Sequence, residues 1–312
     1  MAHFTPHAHE LLARQHGAVS VEQLLATGLS IREVRHLQRV GDLELVLRGV
    51  YRTPSAPITE ASRCAAVCLA RPEVAIAGPT AGRLWGLRRQ PPDQRIHVIA
   101  PRASQPAVKR WIVPYRTDAI HDHDIVMRDD GIRVTSRART ALDLARWLDS
   151  DDLLSVIEQV VHDGRLDDDE LLAVAADWLS PQRKWVRRFL STLDRRLPGG
   201  PAESHPEIRV ANALGAAGVR GLVRQYEVDL PGYGRARFDL AVPGLRWAIE
   251  VDLHPVHRET AGSVADVRRD RAATDIGWIT SRIDERAYRH RFNERIAEIA
   301  AVQPHLRLRA AS

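Results

Sequence analysis

The chain has 312 residues, of which 44% are hydrophobic and 27% are charged, and these fractions argue against a largely disordered protein. Its formal net charge is +5 and its pI is about 9.7. Arginine supplies most of the positive charge, and its planar fork suits phosphate, so the composition favours a polyanionic partner. A GC-rich genome produces the same arginine usage, which leaves that choice open.

Cysteine usage and hydropathy predict a cytoplasmic protein that makes no membrane contact. Cys64 and Cys68 are the two cysteines. No further soft ligand lies close to them in sequence, which favours buried thiols over a zinc site. The N-terminus lacks a signal-peptide pattern, and no run of about 18 apolar residues occurs.

The first predicted domain, residues 1–55, has the pattern of a winged helix-turn-helix. Ser20 with Gln23, and Ser30 with Glu33, carry N-terminal capping signals, and glycines follow both helices. The order helix, glycine turn, helix and wing is typical of this DNA-binding fold. The segments are a helix over Glu10–His16, helices opened by Ser20 and Ser30 that end at Gly28 and Gly41, and a two-stranded wing over Leu43–Tyr51.

Basic residues follow one side of the helix opened by Ser30. They face away from its apolar stripe, where a recognition helix meets bases and phosphates. The alternative is a set of solvated charges on a small helical domain. The predicted DNA contacts are Arg32, Arg35, His36 and Arg39.

The second predicted domain, residues 56–197, mixes helices and strands and shows no catalytic constellation. Three of its motifs, Ala81–Leu87, His97-Val98 and Ala138–Ala145, occur in this order. Through these three ordered motifs, residues 8–190 resemble the actinobacterial relatives of AbiE-type antitoxins. That resemblance implies DNA binding and autorepression by a regulator or antitoxin, with a cognate toxin protein as a candidate partner. A helix-breaking stretch, Leu197–Pro201, predicts a linker to the next domain.

The third predicted domain, residues 198–312, carries carboxylates on a predicted hairpin. A helix opens at Glu203, and strands over Arg237–Val242 and Trp247–Val251 flank a turn whose two-residue loop is either Pro243-Gly244 or Gly244-Leu245. Strand alternation then places Asp239, Glu250 and Asp252 on one face. Folded proteins rarely tolerate such a cluster without a cation or raised pKa values, and oxygen ligands select Mg²⁺ or Mn²⁺. We therefore predict a metal site at Asp239, Glu250 and Asp252.

The ordered motifs of this third domain resemble PD-(D/E)XK nucleases, and most closely their very-short-patch-repair endonuclease-like branch. The motifs are Glu203, Asp239, Glu250-Val251-Asp252, His257, Asp266–Asp270 and Gly277-Trp278. The resemblance implies metal binding by Asp239 and Glu250, with Asp252 completing the shell or orienting water. It also implies a water-mediated role for Glu203, acid or base catalysis by His257 and a phosphate contact by Arg269.

Because of two departures from the nuclease pattern, the alternative that this domain is inactive stays open. Asp252 stands where the pattern has lysine, and Leu253 replaces a glycine. The sequence as a whole predicts an α/β multidomain protein with a winged helix-turn-helix, a mixed middle domain and a restriction-endonuclease-like α/β domain. Its predicted function is metal-dependent DNA cleavage. The alternative is a non-catalytic AbiE-type antitoxin or transcriptional regulator with a degenerate nuclease fold.

Overall fold

The computed structural model describes residues 4–104, 109–117, 120–164, 166–253 and 260–311. The chain is divided into two compact units. The first comprises residues 1–148 and 167–190, and the second comprises residues 149–166 and 191–312. Both mix helices with sheets, as the predicted α/β multidomain class requires. No helix within the described ranges is long and apolar enough to cross a membrane.

The first unit begins with a small three-stranded antiparallel sheet and three helices. Its elements are α1 (Pro6–Arg14), β1 (Ala18–Ser20), α2 (Val21–Ala26), α3 (Ile31–Val40), β2 (Glu44–Leu47) and β3 (Val50–Arg52). Helix α1 starts earlier than predicted because Thr5 caps it and Pro6 occupies its first turn. The sheet order is β1-β3-β2, so the predicted two-stranded wing has gained the strand β1.

Local capping explains where α2 and α3 begin and end. The Ser20–Gln23 and Ser30–Glu33 capping boxes both form, and Gly41 takes the left-handed conformation that ends α3. Val34 and Leu37 pack into a core with residues of α1, α2 and β1. The opposite side of α3 is thereby left to solvent.

The rest of the first unit is built around a five-stranded sheet. Its elements are α4 (Glu60–Ala70), β4 (Ala75–Ile76), α5 (Gly78–Leu84), β5 (Ile96–Ala100), β6 (Ile112–Arg116), β7 (Ile125–Met127), β8 (Arg133–Thr135), α6 (Arg137–Leu144) and α8 (Asp168–Asp177), followed by α9 (Lys184–Leu193), whose last residues belong to the second unit. The strand order is β6-β5-β4-β8-β7. Leu47 and Val50 share a buried core with Ile76 and Val98, so residues on both sides of the predicted boundary at 55 pack together.

The second unit contains a four-stranded sheet of order β12-β11-β10-β9. Its elements are α7 (Ser150–Gly164), α10 (His205–Ala216), β9 (Val223–Leu230), β10 (Gly234–Val242), β11 (Trp247–Asp252), α11 (Thr260–Asp275), β12 (Ile279–Asp284), α12 (Glu285–His290), α13 (Phe292–Ala300) and α14 (Val302–Ala311). Strands β9 to β11 are antiparallel, whereas β12 runs parallel to β11 after the crossover through α11.

The hairpin between β10 and β11 turns differently from the prediction. Val242 pairs with Trp247, so Pro243–Arg246 form a four-residue connection instead of a two-residue loop. Arg246 has a φ of 47°, which closes this connection. Because the connection still has an even length, the faces of both strands are the ones predicted.

Helix α7 and the predicted linker both belong to the fold of the second unit. Glu158 of α7 is fully buried and accepts from Arg196 and Arg224. Gly199 bridges to Arg224 of β9, and the Arg224 amide donates to the Pro198 carbonyl at 2.9 Å. The glycine-proline stretch is therefore packed against a strand, and the compact unit does not begin at residue 198.

Candidate functional site

The exposed face of α3 carries three arginines. Arg32, Arg35 and Arg39 are solvent-exposed, whereas His36 is half-buried. Within the described residues, none of these four side chains makes an ion pair or a side-chain hydrogen bond. The positive charge of this face is therefore uncompensated, as a surface that meets phosphates requires.

A further arginine lies in the connection between β2 and β3. Arg48 is exposed, and the adjacent Gly49 has a positive φ of 76° that allows the tight turn. The sequence prediction did not include Arg48. The sequence signal that could have identified Arg48 is its position next to a glycine, in the turn of a stretch where apolar and polar residues alternate.

The hairpin brings two of the predicted carboxylates together. Extending the pairing of Leu240 with Ile249 by one position places Asp239 opposite Glu250. Asp239 Oδ2 accepts from the Val251 amide at 2.9 Å, which fixes this carboxylate across the two strands. Glu250 is 7% exposed. Asp239 and Glu250 are thus neighbours on the sheet face predicted from strand alternation.

The helix carboxylate next to this pair is Glu207, so the prediction for Glu203 needs correction. Helix α10 begins after Ser204, whose hydroxyl accepts from the Glu207 amide. Glu203 lies outside the helix, is exposed and pairs with Arg237 at 2.5 Å. Glu207 is buried, and the charge of Asp239 helps to raise its pKa. The Ser204-x-x-Glu207 spacing is itself a capping signal and could have identified this residue.

Gln225 completes the surroundings of Glu207. Its Nε2 donates to Glu207 Oε2 at 2.9 Å, and its own Oε1 is buried without a donor among the described residues. Gln225 has a φ of 48°, a left-handed conformation that is uncommon for residues other than glycine. This local distortion of β9 is a tertiary feature that strand patterning does not encode.

Burial and charge strongly perturb Glu250. Burial, followed by the charge of Asp239, raises the pKa of Glu250 to about 7. Arg269 opposes this shift, and its Nη2 lies 3.4 Å from Glu250 Oε1. No donor in the described part of the chain is aligned for a hydrogen bond with Oε1. The contact with Arg269 is therefore a Coulombic pair that leaves one buried oxygen available.

Asp252 and His257 are the two predicted site residues not yet accounted for. Asp252 is exposed, and its carboxylate has no ion pair or hydrogen bond among the described residues. His257 lies outside the described residues, as does the side chain of Asp266. Within the described ranges, no group of three or more His, Cys, Asp or Glu side chains is arranged to hold a metal ion. The roles predicted for Asp252, His257 and Arg269 stay predictions.

Two segments of the chain match known protein families. Residues 9–54 match the family described as "Transcriptional regulator, AbiEi antitoxin", and residues 65–193 match the family described as "AbiEi antitoxin C-terminal domain". The predicted resemblance to AbiE-type antitoxins is thereby confirmed for these segments. Neither match includes Glu207, Asp239 or Glu250.

A solved structure also shows similarity to the chain. The RV2827C protein from Mycobacterium tuberculosis is 18% identical, with a TM-score of 0.37, over 62% of this chain and 82% of that one. No curated protein matches the chain.

Proposed function

We propose that this protein is a DNA-binding transcriptional regulator of the AbiEi antitoxin type. In this proposal residues 1–55 form a winged helix-turn-helix, and α3 enters the major groove with Arg32, Arg35 and Arg39. The observation that carries the proposal is the uncompensated arginine face of α3, within a segment that matches the AbiEi transcriptional regulator family. Arg48, exposed in the turn between β2 and β3, is proposed as a further phosphate contact.

The antitoxin part of the proposal rests on residues 65–193, which match the AbiEi antitoxin C-terminal domain. It names a cognate toxin as the protein partner. The DNA target is the region upstream of the protein's own reading frame, because autorepression accompanies regulators of this type in the resemblance described above.

Fluorescence anisotropy with this upstream duplex across a salt series tests the DNA contact. Arg35→Ala with Arg39→Ala should weaken binding and reduce the salt dependence by about one released counterion for each lost phosphate contact. Arg110→Ala removes an exposed arginine outside α3 and should leave both quantities unchanged. An unchanged salt slope in the double variant would contradict the assignment of α3.

We propose DNA phosphodiester cleavage as a second function, carried by the buried, unsatisfied Glu250 Oε1 opposite Asp239. Carboxylate oxygens suit Mg²⁺ or Mn²⁺, and Asp239 and Glu250 are the two residues that would hold such an ion. The ion would supply Lewis-acid activation of a phosphodiester and its attacking water. In this proposal Arg269 contacts a phosphate and His257 is the acid or base.

Metal binding can be measured independently of cleavage. Mn²⁺ titrated at pH 7 should release a proton from Glu250, because the pKa of this residue is about 7 without a cation. Calorimetry in buffers of different ionisation enthalpy detects this release, and Glu250→Gln should abolish it. Plasmid nicking with Mg²⁺ or Mn²⁺ then tests catalysis against Asp239→Asn. Absence of both signals in the wild type would leave the regulator as the sole function.

A further inference from the structure

Helix α8 of the first unit is apolar on its buried side and also on its solvent side. Leu171 and Val174 are buried, and the helix packs against α6. On the solvent side, Leu172 is 44% exposed and Leu179, just beyond the helix, is 58% exposed, with the exposed Ala176 between them. A helix that only covers a core carries polar residues on its solvent side. The exposed side of α8 therefore departs from that pattern.

The exposed apolar residues have the spacing of helices that pair side by side. Leu172, Ala176 and Leu179 follow one another at intervals of four and three residues, which aligns them along one side of the helix. The Leu179 amide donates to the Ala176 carbonyl at 3.1 Å, so this alignment continues past the end of α8. We call these three residues the α8 stripe. The small side chain of Ala176 at its centre allows a second helix to approach closely.

The two ends of the α8 stripe carry opposite charges. Asp169 lies one turn before Leu172 and is exposed. Arg183 stacks on Trp178 and donates to its carbonyl at 3.2 Å, which places the guanidinium at the C-terminal end of α8. Neither Asp169 nor Arg183 makes an ion pair with any residue in the described ranges. Each charge is therefore available to a partner of opposite sign.

A second copy of the same helix complements the α8 stripe when it runs in the opposite direction. Asp169 and Arg183 stand at equal separations in sequence before and after Ala176. A two-fold axis at Ala176 would therefore bring Asp169 of each copy beside Arg183 of the other, and Leu172 beside Leu179. Parallel packing would instead bring like charges together. A nucleic acid does not fit this surface, because acidic residues open the helix at Asp167–Glu170.

We propose that two copies of this protein associate through the α8 stripe, with their helices antiparallel about a two-fold axis at Ala176. The same surface is used by both copies, so the association closes as a dimer. This inference goes beyond the proposed function, since it needs neither DNA nor a metal ion and would survive the loss of either activity. The dimer carries two copies of α3, as do regulators that bind paired half-sites.

Sedimentation equilibrium of the full-length protein measures the association. The wild type should show a monomer–dimer equilibrium, and Leu172→Lys should raise its Kd at least about tenfold, because a charge replaces an apolar side chain buried between the copies. Leu308→Lys changes an exposed leucine of α14, outside the α8 stripe, and should leave the Kd unchanged. Circular dichroism shows whether both variants are folded.

Exchange of the charges tests the antiparallel direction. Asp169→Arg and Arg183→Glu should each weaken self-association, because each brings like charges together at both ends of the stripe. An equimolar mixture of the two variants should associate again as a heterodimer, since every end then has one acidic and one basic side chain. Recovery on mixing also shows that the single variants are folded.

Disulfide crosslinking tests the position of the axis. Cys64 and Cys68 are buried, so Ala176→Cys adds the exposed thiol and should form a disulfide between copies on mild oxidation. Ala173→Cys is exposed on the same helix, but its two copies would stand about 9 Å apart along the helix axes, too far for a disulfide. Equal crosslinking of the two variants, a wild type that stays monomeric at every concentration, or a mixture that fails to associate would each overturn the dimer.

Discussion

Replacement of Glu158 by alanine should destabilise the second unit strongly. The Glu158 carboxylate is fully buried and accepts from Arg196 Nε at 2.9 Å, Arg224 Nη2 at 2.7 Å and the Ala202 amide at 3.2 Å. Arg196 is already 12% exposed and can turn to solvent, but Arg224 is 2% exposed and cannot. After the substitution, Arg224 would keep the Leu197 carbonyl as its acceptor.

The magnitude follows from the charge that is left behind. Removing one partner of a buried ion pair costs about 3–5 kcal/mol, and because Arg196 can relax we expect the lower end, about 3 kcal/mol. This corresponds to a decrease in Tm of roughly 10 °C for a unit of this size. Glu285→Ala removes a surface pair with Arg289 in the same unit and should change stability by less than about 0.5 kcal/mol.

Hydrogen exchange followed by mass spectrometry localises the effect. Amides of α10 and of β9 to β11 should exchange faster in Glu158→Ala, whereas those of α4 and α5 in the first unit should not change. Combining Glu158→Met with Arg224→Met removes both charges and should recover most of the lost stability. If Glu158→Ala behaved like Glu285→Ala, or if the double substitution were as damaging as the single one, the reasoning about a stranded Arg224 would be refuted.

Three further outcomes are expected from the structure. Gly199→Ala should destabilise the second unit by more than about 2 kcal/mol in chemical denaturation, because φ is 105° and the new Cβ would lie 2.0 Å from the Arg224 carbonyl oxygen. Gly218→Ala is the control, because its φ is 94° but the space around it is open, so it measures the cost of the backbone conformation alone. Arg139→Lys should lower the stability of the first unit by about 3 kcal/mol, because lysine cannot pair with both Asp124 and Asp143 while it stacks on Trp178. Calorimetry can compare this variant with Arg137→Lys on the same helix. The fold raises the pKa of Glu250 from its ordinary value of 4.5 to about 7. The contribution of the protonated carboxyl to stability is therefore fully present below pH 4.5 and is lost as the pH rises through 7. Urea unfolding of Glu250→Gln across this range should show a flatter pH dependence than that of the wild type.

Features set by neighbouring residues could be predicted from the sequence. The capping boxes at Ser20 and Ser30 fix the starts of α2 and α3, and alternation along β10 and β11 places Asp239 and Glu250 on one face. The hairpin connection was predicted too short, but the error preserved the faces because both lengths are even. Such features depend on bonding within a few residues, which the local sequence records.

Features set by distant residues could not be predicted. Gln225 has a left-handed backbone and hydrogen-bonds to Glu207 on another element, and the ion pairs of Glu158 join residues far apart in the chain. The Glu203 prediction failed for a different reason, since the helix start was placed ahead of Ser204, its actual cap. Placing the start of α10 at the wrong residue selects the exposed carboxylate of Glu203 instead of the buried carboxylate of Glu207.

The path of the chain through α7 affects how this protein can be divided. The second unit draws residues 149–166 from between two segments of the first. A cut at Pro198 would leave Glu158 on the N-terminal fragment and Arg224 on the C-terminal fragment, with their ion pair still buried. The two pieces should therefore copurify after backbone cleavage and reassemble when coexpressed, whereas residues 198–312 produced alone would expose the surface that α7 covers.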